Sequence, residues 1–263
     1  MDRLKDVKLY LFDMDGTLYL GNRIYSFTKE LLEKIRATGN KYLFVTNNSS
    51  KSVDDYILKL EKMGIMAQYE DFVTSSQATA YYLQQHHKGD RLFVCGTNSL
   101  KKELSKAGFA ITEQPDEVDC IVMGFDTELT FQKLEAVSRL LCTREIPYIA
   151  TNGDYVCPTE FGSVPDCGSV CDMLFNVSGK RPIVIGKPAT LIPELAMERT
   201  GYRREETALV GDRLYTDIQC GRNASVLSVL VLSGETTEEM LRNSDVKPDI
   251  VLPDGSKIMD YLG

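Results

Sequence analysis

Residues 9–19 read LYLFDMDGTLY, an apolar run that ends in Asp13, with Asp15, Gly16 and Thr17 behind it. Two carboxylates at this spacing can face one metal ion if the chain turns after the strand, and Gly16 permits that turn. A calcium loop is excluded. It needs acids at its first, third and fifth positions and glycine at its sixth, whereas Thr17 and Leu18 stand at the fifth and sixth here. Three more apolar runs end in polar chemistry. KYLFVT leads into Thr46, Asn47, Asn48, Ser49 and Ser50, whose hydroxyls and amides suit phosphate oxygens. PIVIG leads to Lys187, a point charge for a phosphate. TALVG leads to Asp212, with Asp217 five residues on. Each alone reads as an ordinary turn. At one edge of one sheet they provide a hard-oxygen site for Mg²⁺, a carboxylate nucleophile and a phosphate clamp.

That shared edge requires particular elements. Strands are predicted at 7–12, 42–45, 72–74, 92–95, 120–123, 148–150, 183–185, 208–210, 227–232 and 250–252. Amphipathic helices fall between most of them, among them 100–107, 131–142, 191–199 and 237–242. Ser26 is placed to cap a helix that Gly39 ends, and Ser52 with Asp55 opens another that stops at Gly64. Strand–helix alternation predicts an α/β fold with parallel sheets wound by right-handed crossovers. In such sheets ligands bind beyond the carboxyl ends of the strands.

The chain has 263 residues, 43% hydrophobic and 26% charged, as expected of a packed protein of two domains or one large α/β unit. With 38 acids against 30 bases the net charge is −8, which argues against nucleic acid and anionic membrane surfaces. No apolar stretch approaches the roughly 18 residues of a spanning helix. The N-terminus lacks the apolar core and cleavage site of a signal peptide. Seven scattered cysteines, with only Cys167 and Cys171 close in sequence, read as reduced and mostly buried thiols of a cytoplasmic protein.

The ordered motif set resembles that of the haloacid dehalogenase (HAD) phosphatase superfamily, and its NagD-like, p-nitrophenyl-phosphatase branch above all. VTNNSS, GFDTELTFQKLEAVSRLL, YIATNGD, VIGKP and LVGDRLYTDI carry the resemblance. It implies a doubly wound, Rossmann-like HAD core with an inserted α/β cap domain, and hydrolysis of small phosphorylated metabolites with Mg²⁺. It implies that Asp13 is the nucleophile and a metal ligand. Asp15 is then the general acid/base, with its backbone carbonyl on the metal. Thr46 and Asn47 hold phosphoryl oxygens, with Asn48 nearby. Lys187 neutralises charge on nucleophile and phosphate, Asp212 is the second metal carboxylate, and Asp217 supports the metal waters. Thr46 comes only 31 positions after Asp15, too few for a cap there, but Lys187 comes 141 positions after Thr46. The core is therefore expected at 1–77 and 181–263, and the cap at 78–180. Cap-mediated dimers occur in the family, which leaves a homodimer open.

Within the expected cap, Asn152, Asp154 and Cys157 are candidates for substrate contact, with a simple turn as the alternative for the first two. VPDCGSV departs from the family's Pro-Gly-x-Gly pattern at Asp166 and Cys167. His86 and His87 read as solvated, Met63 and Met66 as packing residues. A phosphomutase on the same core is the main rival, but its cap usually sits where this chain has no space. A phospho-acceptor receiver domain is about half this length, and no dinucleotide or P-loop glycine pattern is present.

Overall fold

The computed structural model describes residues 2–159 and 161–262, and it divides into two compact units. One comprises Met1–Thr46, Ile57–Val73 and Lys187–Gly263; the other comprises Asn47–Tyr56 and Thr74–Gly186.

The sheet of the first unit has six strands in the order Ile250–Leu252, Leu227–Val231, Thr207–Gly211, Leu9–Phe12, Lys41–Thr46 and Phe72–Thr74. The pairings among the first five are parallel. Strand Leu9–Phe12 is buried at every position, as a parallel strand covered on both faces must be. From it the chain moves outward to 41–46 and 72–74, then returns on its other side at 207–211. The reversal of direction lies between Leu9–Phe12 and Thr207–Gly211. An open α/β sheet has its crevice at such a switch point, beyond the strands' carboxyl ends. Asp13 and Asp212 are the first residues past those two ends.

The second unit carries a five-stranded parallel sheet in the order Ile183–Val184, Tyr148–Ala150, Cys120–Met123, Arg91–Cys95 and Ala110–Ile111. Helices Phe131–Thr143 and Cys167–Ser178 pack Val137, Leu140, Leu141 and Leu174 against Cys95, Ile121 and Met123. A hairpin pairs Val156–Thr159 with Gly162–Pro165.

Several expectations need correction. The first long helix begins at Thr28, and its N-cap is Phe27 without a side-chain bond, so Ser26 does not cap it. The first strand begins at Leu9, two residues later than expected. Cys142 is exposed. His87 is half-buried, with Nδ1 3.2 Å from Asp90, whereas His86 is exposed, its ring tilted at 41° against Tyr82. Helix Ser75–His86 escapes a periodicity reading because Ser75, Ser76, Gln77, Ala78, Thr79 and Ala80 are all buried and form no apolar stripe. Among the described residues no helix is long and apolar enough to cross a membrane.

Candidate active site

Strand pairing itself fixes Asp13, whose backbone N–H donates to Val210 O at 2.8 Å. Lys187, 2% exposed, donates from Nζ to Asp13 Oδ1 and to Asp217 Oδ1, both at 2.6 Å. Asp217 lies on a single π-helical turn, Leu214–Ile218, and its Oδ2 accepts from the Arg213 N–H at 3.1 Å. Asp212 Oδ2 accepts from the Glu235 N–H at 2.6 Å. One oxygen from each of Asp13, Asp212 and Asp217 lies within 4.8 Å of the others.

The close approach depends on glycine. Gly16 has φ +88°, and a Cβ there would strike the Asp212 carboxylate; so would a Cβ on Gly234. The loop Ser233–Thr236 is laced to both acidic turns. Ser233 Oγ donates to Gly16 O at 2.8 Å, and the Thr236 N–H donates to Asp212 O at 3.2 Å. Sequence reasoning missed this loop because its bonds to Asp212 come from backbone N–H groups, which leave no mark on residue type.

Three ionised carboxylates against one ammonium leave two negative charges in a buried place. Burial raises the Asp13 carboxyl to about 8, with Lys187 opposing and Asp217 and Asp212 reinforcing the rise. Burial, with Asp217 adding, raises Asp212 to about 7. For Lys187, burial works against the ammonium, but Asp13 and Asp217 outweigh it and hold the proton firmly. Asp212 Oδ1 is buried without a hydrogen-bond partner. An acceptor in that state is costly unless something positive meets it. All-oxygen donors, three acids against one ammonium and an orphaned carboxylate oxygen fit a hard divalent cation.

The other predicted residues are placed differently. The Asp15 side chain is 54% exposed and lies outside the three-acid cluster. Its Oδ1 accepts from the Gly21 N–H at 3.1 Å, and its Oδ2 is 3.9 Å from Lys59 Nζ. Thr46 is buried at the end of its strand. In the second unit Asn48 Oδ1 closes a turn by accepting from the N–H and Oγ of Ser50. Asn47, Asn152, Asp154 and Asp166 form one buried network there. Asp154 Oδ2 accepts from Asn47 Nδ2 at 2.7 Å and from Asn152 Nδ2 at 2.9 Å. Asn152 Nδ2 also donates to Asp166 Oδ1, and Asp166 is the N-cap of helix Cys167–Ser178. The departure of VPDCGSV from the family pattern thus supplies a helix cap. Cys157 is half-buried on the hairpin.

A doubly wound sheet thus carries, at its switch point, an acid–lysine cluster whose donor set fits a divalent cation. Residues 10–110 match the family described as haloacid dehalogenase-like hydrolase, and residues 184–257 match the one described as HAD-hydrolase-like. An acid sugar phosphatase of Staphylococcus aureus (strain USA300) is 35% identical over 245 residues, covering 93% of this chain and 94% of that protein. Among solved structures, a 4-nitrophenylphosphatase from Thermotoga maritima is similar with a TM-score of 0.95, 37% identity and 99% coverage of both chains. A glycerol phosphate phosphatase from Mycobacterium tuberculosis, in complex with calcium, has a TM-score of 0.90 at 30% identity, covering 97% of this chain and 76% of that one. The chain belongs to the haloacid dehalogenase-like hydrolase family, in its NagD-like, p-nitrophenyl-phosphatase branch, and is by class a phosphoric monoester hydrolase.

Proposed function

We propose that this chain is a Mg²⁺-dependent phosphatase of small phosphorylated metabolites, working through an aspartyl-phosphate on Asp13. The observation that carries the reading is the Lys187 ammonium, 2.6 Å from both Asp13 and Asp217, beside the orphaned oxygen of Asp212. Asp13, Asp212 and the Asp15 backbone carbonyl would hold the cation, with Asp217 supporting its waters. When bound, Mg²⁺ supplies positive charge to the phosphoryl oxygens.

An Asp13 carboxylate oxygen attacks phosphorus, and the bond from phosphorus to the ester oxygen breaks. Asp15 gives its proton to that leaving oxygen. Water then attacks phosphorus and gives a proton to Asp15, and the Asp13–phosphorus bond breaks to release phosphate. Lys187 favours the ionised form of Asp13, opposing the effect of burial, and offsets charge on the transferring group. Thr46, Asn47 and Asn48 contribute donors to the phosphoryl oxygens.

Residues 78–180 act as an inserted cap that governs substrate choice, with Asn152, Asp154 and Cys157 as the segment's candidate residues. The burial of Asn152 and Asp154 favours an indirect part for those two. Cysteines that are all free support a reducing, cytoplasmic setting. The names of the relatives above point to sugar, glycerol and p-nitrophenyl phosphates as first substrates to try.

The test is phosphate release over a panel of phosphorylated metabolites, with Mg²⁺ and with a chelator. Release that needs Mg²⁺ is expected. Isomerisation of a sugar phosphate without release would instead establish a phosphomutase.

A further inference from the structure

Lys59 takes no part in the scheme above, yet its side chain is only 16% exposed and points into the acidic loop. Helix Val53–Lys62 delivers it there. Its Nζ lies 4.0 Å from the centroid of the Tyr19 ring and 3.9 Å from Asp15 Oδ2. Tyr19 is buried and belongs to the same turn as Asp15. The Gly16 N–H donates to Tyr19 O at 2.7 Å, and Asp15 and Tyr19 form a β-bridge. Removing a lysine from water is costly, and an apolar side chain would fill the place without that cost. The ring face and the carboxylate help to offset that cost while the ammonium stays between them. Asp15 is thereby met from two sides, hydrogen-bonded by the Gly21 N–H on Oδ1 and ion-paired with Lys59 at 3.9 Å on Oδ2.

We propose that Lys59 is a positioning residue for Asp15, holding its carboxyl group in the orientation that delivers a proton to the leaving oxygen. The inference rests on the acid/base role given to Asp15 above. It predicts a dependence on the leaving group. An alkyl ester leaves as a strongly basic alkoxide and needs the proton as the bond breaks. p-Nitrophenolate is stable as an anion and needs it little. A misaligned Asp15 therefore harms alkyl esters selectively.

Lys59→Met keeps the length of the side chain and packs on the Tyr19 ring, while Lys59→Arg keeps the charge. We expect Lys59→Met to lower kcat/KM about tenfold or more for the best alkyl phosphate of the panel, and less than about threefold for p-nitrophenyl phosphate. Lys59→Arg should restore most of the loss. In an Asp15→Asn background Lys59→Met should add nothing. Mg²⁺ affinity and thermal stability should stay unchanged in Lys59→Met; if that variant does not fold, Lys59→Gln supplies the same comparison. Equal losses for both esters, no loss, or an additive loss in the Asp15→Asn background would overturn the proposal. If Asp15→Asn itself treats both esters alike, the acid/base reading of Asp15 fails. If Asp15→Asn is selective and Lys59→Met is not, only the positioning role fails.

Discussion

Lys187 is the residue on which the electrostatics of the site turn. Its ammonium is buried against Asp13 and Asp217, and removing it would leave three carboxylates with no fixed cation among them. Breaking a buried pair from one side costs more than the pair contributes, because the partner charge stays behind. On the proposed reading, Lys187→Ala keeps Mg²⁺ binding, measured by calorimetry, but loses about 10²- to 10³-fold in kcat. An unchanged kcat would leave Lys187 a packing role only. The sequence names these charged residues because each stands just past an apolar run. It is silent on Lys59, whose residue type on a helix face reads as a solvated charge until the Tyr19 ring is seen beneath it. The Glu235 N–H that holds Asp212 is equally illegible, since every residue but proline carries one.

At the scale of elements, the strands that carry the site were readable because burial on both faces makes them continuous apolar runs. The 72–74, 120–123 and 148–150 strands, buried at every position, match expectation at both ends. Helix Ser75–His86 was not, because small polar residues make up its buried face. The π-turn Leu214–Ile218 also left no periodic signal, though it is what turns Asp217 back toward Lys187. Turn conformation gives a sharper prediction. Gly16 and Gly21 both have positive φ, but a Cβ on Gly16 meets Asp212, while one on Gly21 meets nothing within 4 Å. Gly21→Ala should cost only about 1–2 kcal/mol of backbone strain and leave Mg²⁺ affinity intact. Gly16→Ala pays a similar strain, displaces the Asp212 carboxylate, and should weaken Mg²⁺ binding at least about tenfold. Equal Mg²⁺ affinities in the two variants would show that the Asp212 carboxylate does not hold the cation.

For the whole molecule, composition predicts an acidic chain of two domains or one large α/β unit, and the 140 residues between Thr46 and Lys187 predict an insertion. What composition could not give was the sheet order. Only the pairing of Leu9–Phe12 with Thr207–Gly211, nearly 200 residues apart, brings Asp13 beside Asp212 at a switch point. Net charge shows the same contrast between scales. A chain at −8 repels phosphate on average, yet on the proposed reading a divalent cation held by the buried acid cluster would draw phosphate locally. The central claim is that Asp13 is the nucleophile of a cation-dependent phosphatase. It is tested most directly by phosphate release from p-nitrophenyl phosphate by Asp13→Asn in Mg²⁺, beside the parent chain, with folding checked by thermal unfolding. The account predicts a folded variant whose kcat is lower by about 10⁴-fold or more. A folded Asp13→Asn that releases phosphate at the parent rate would contradict it.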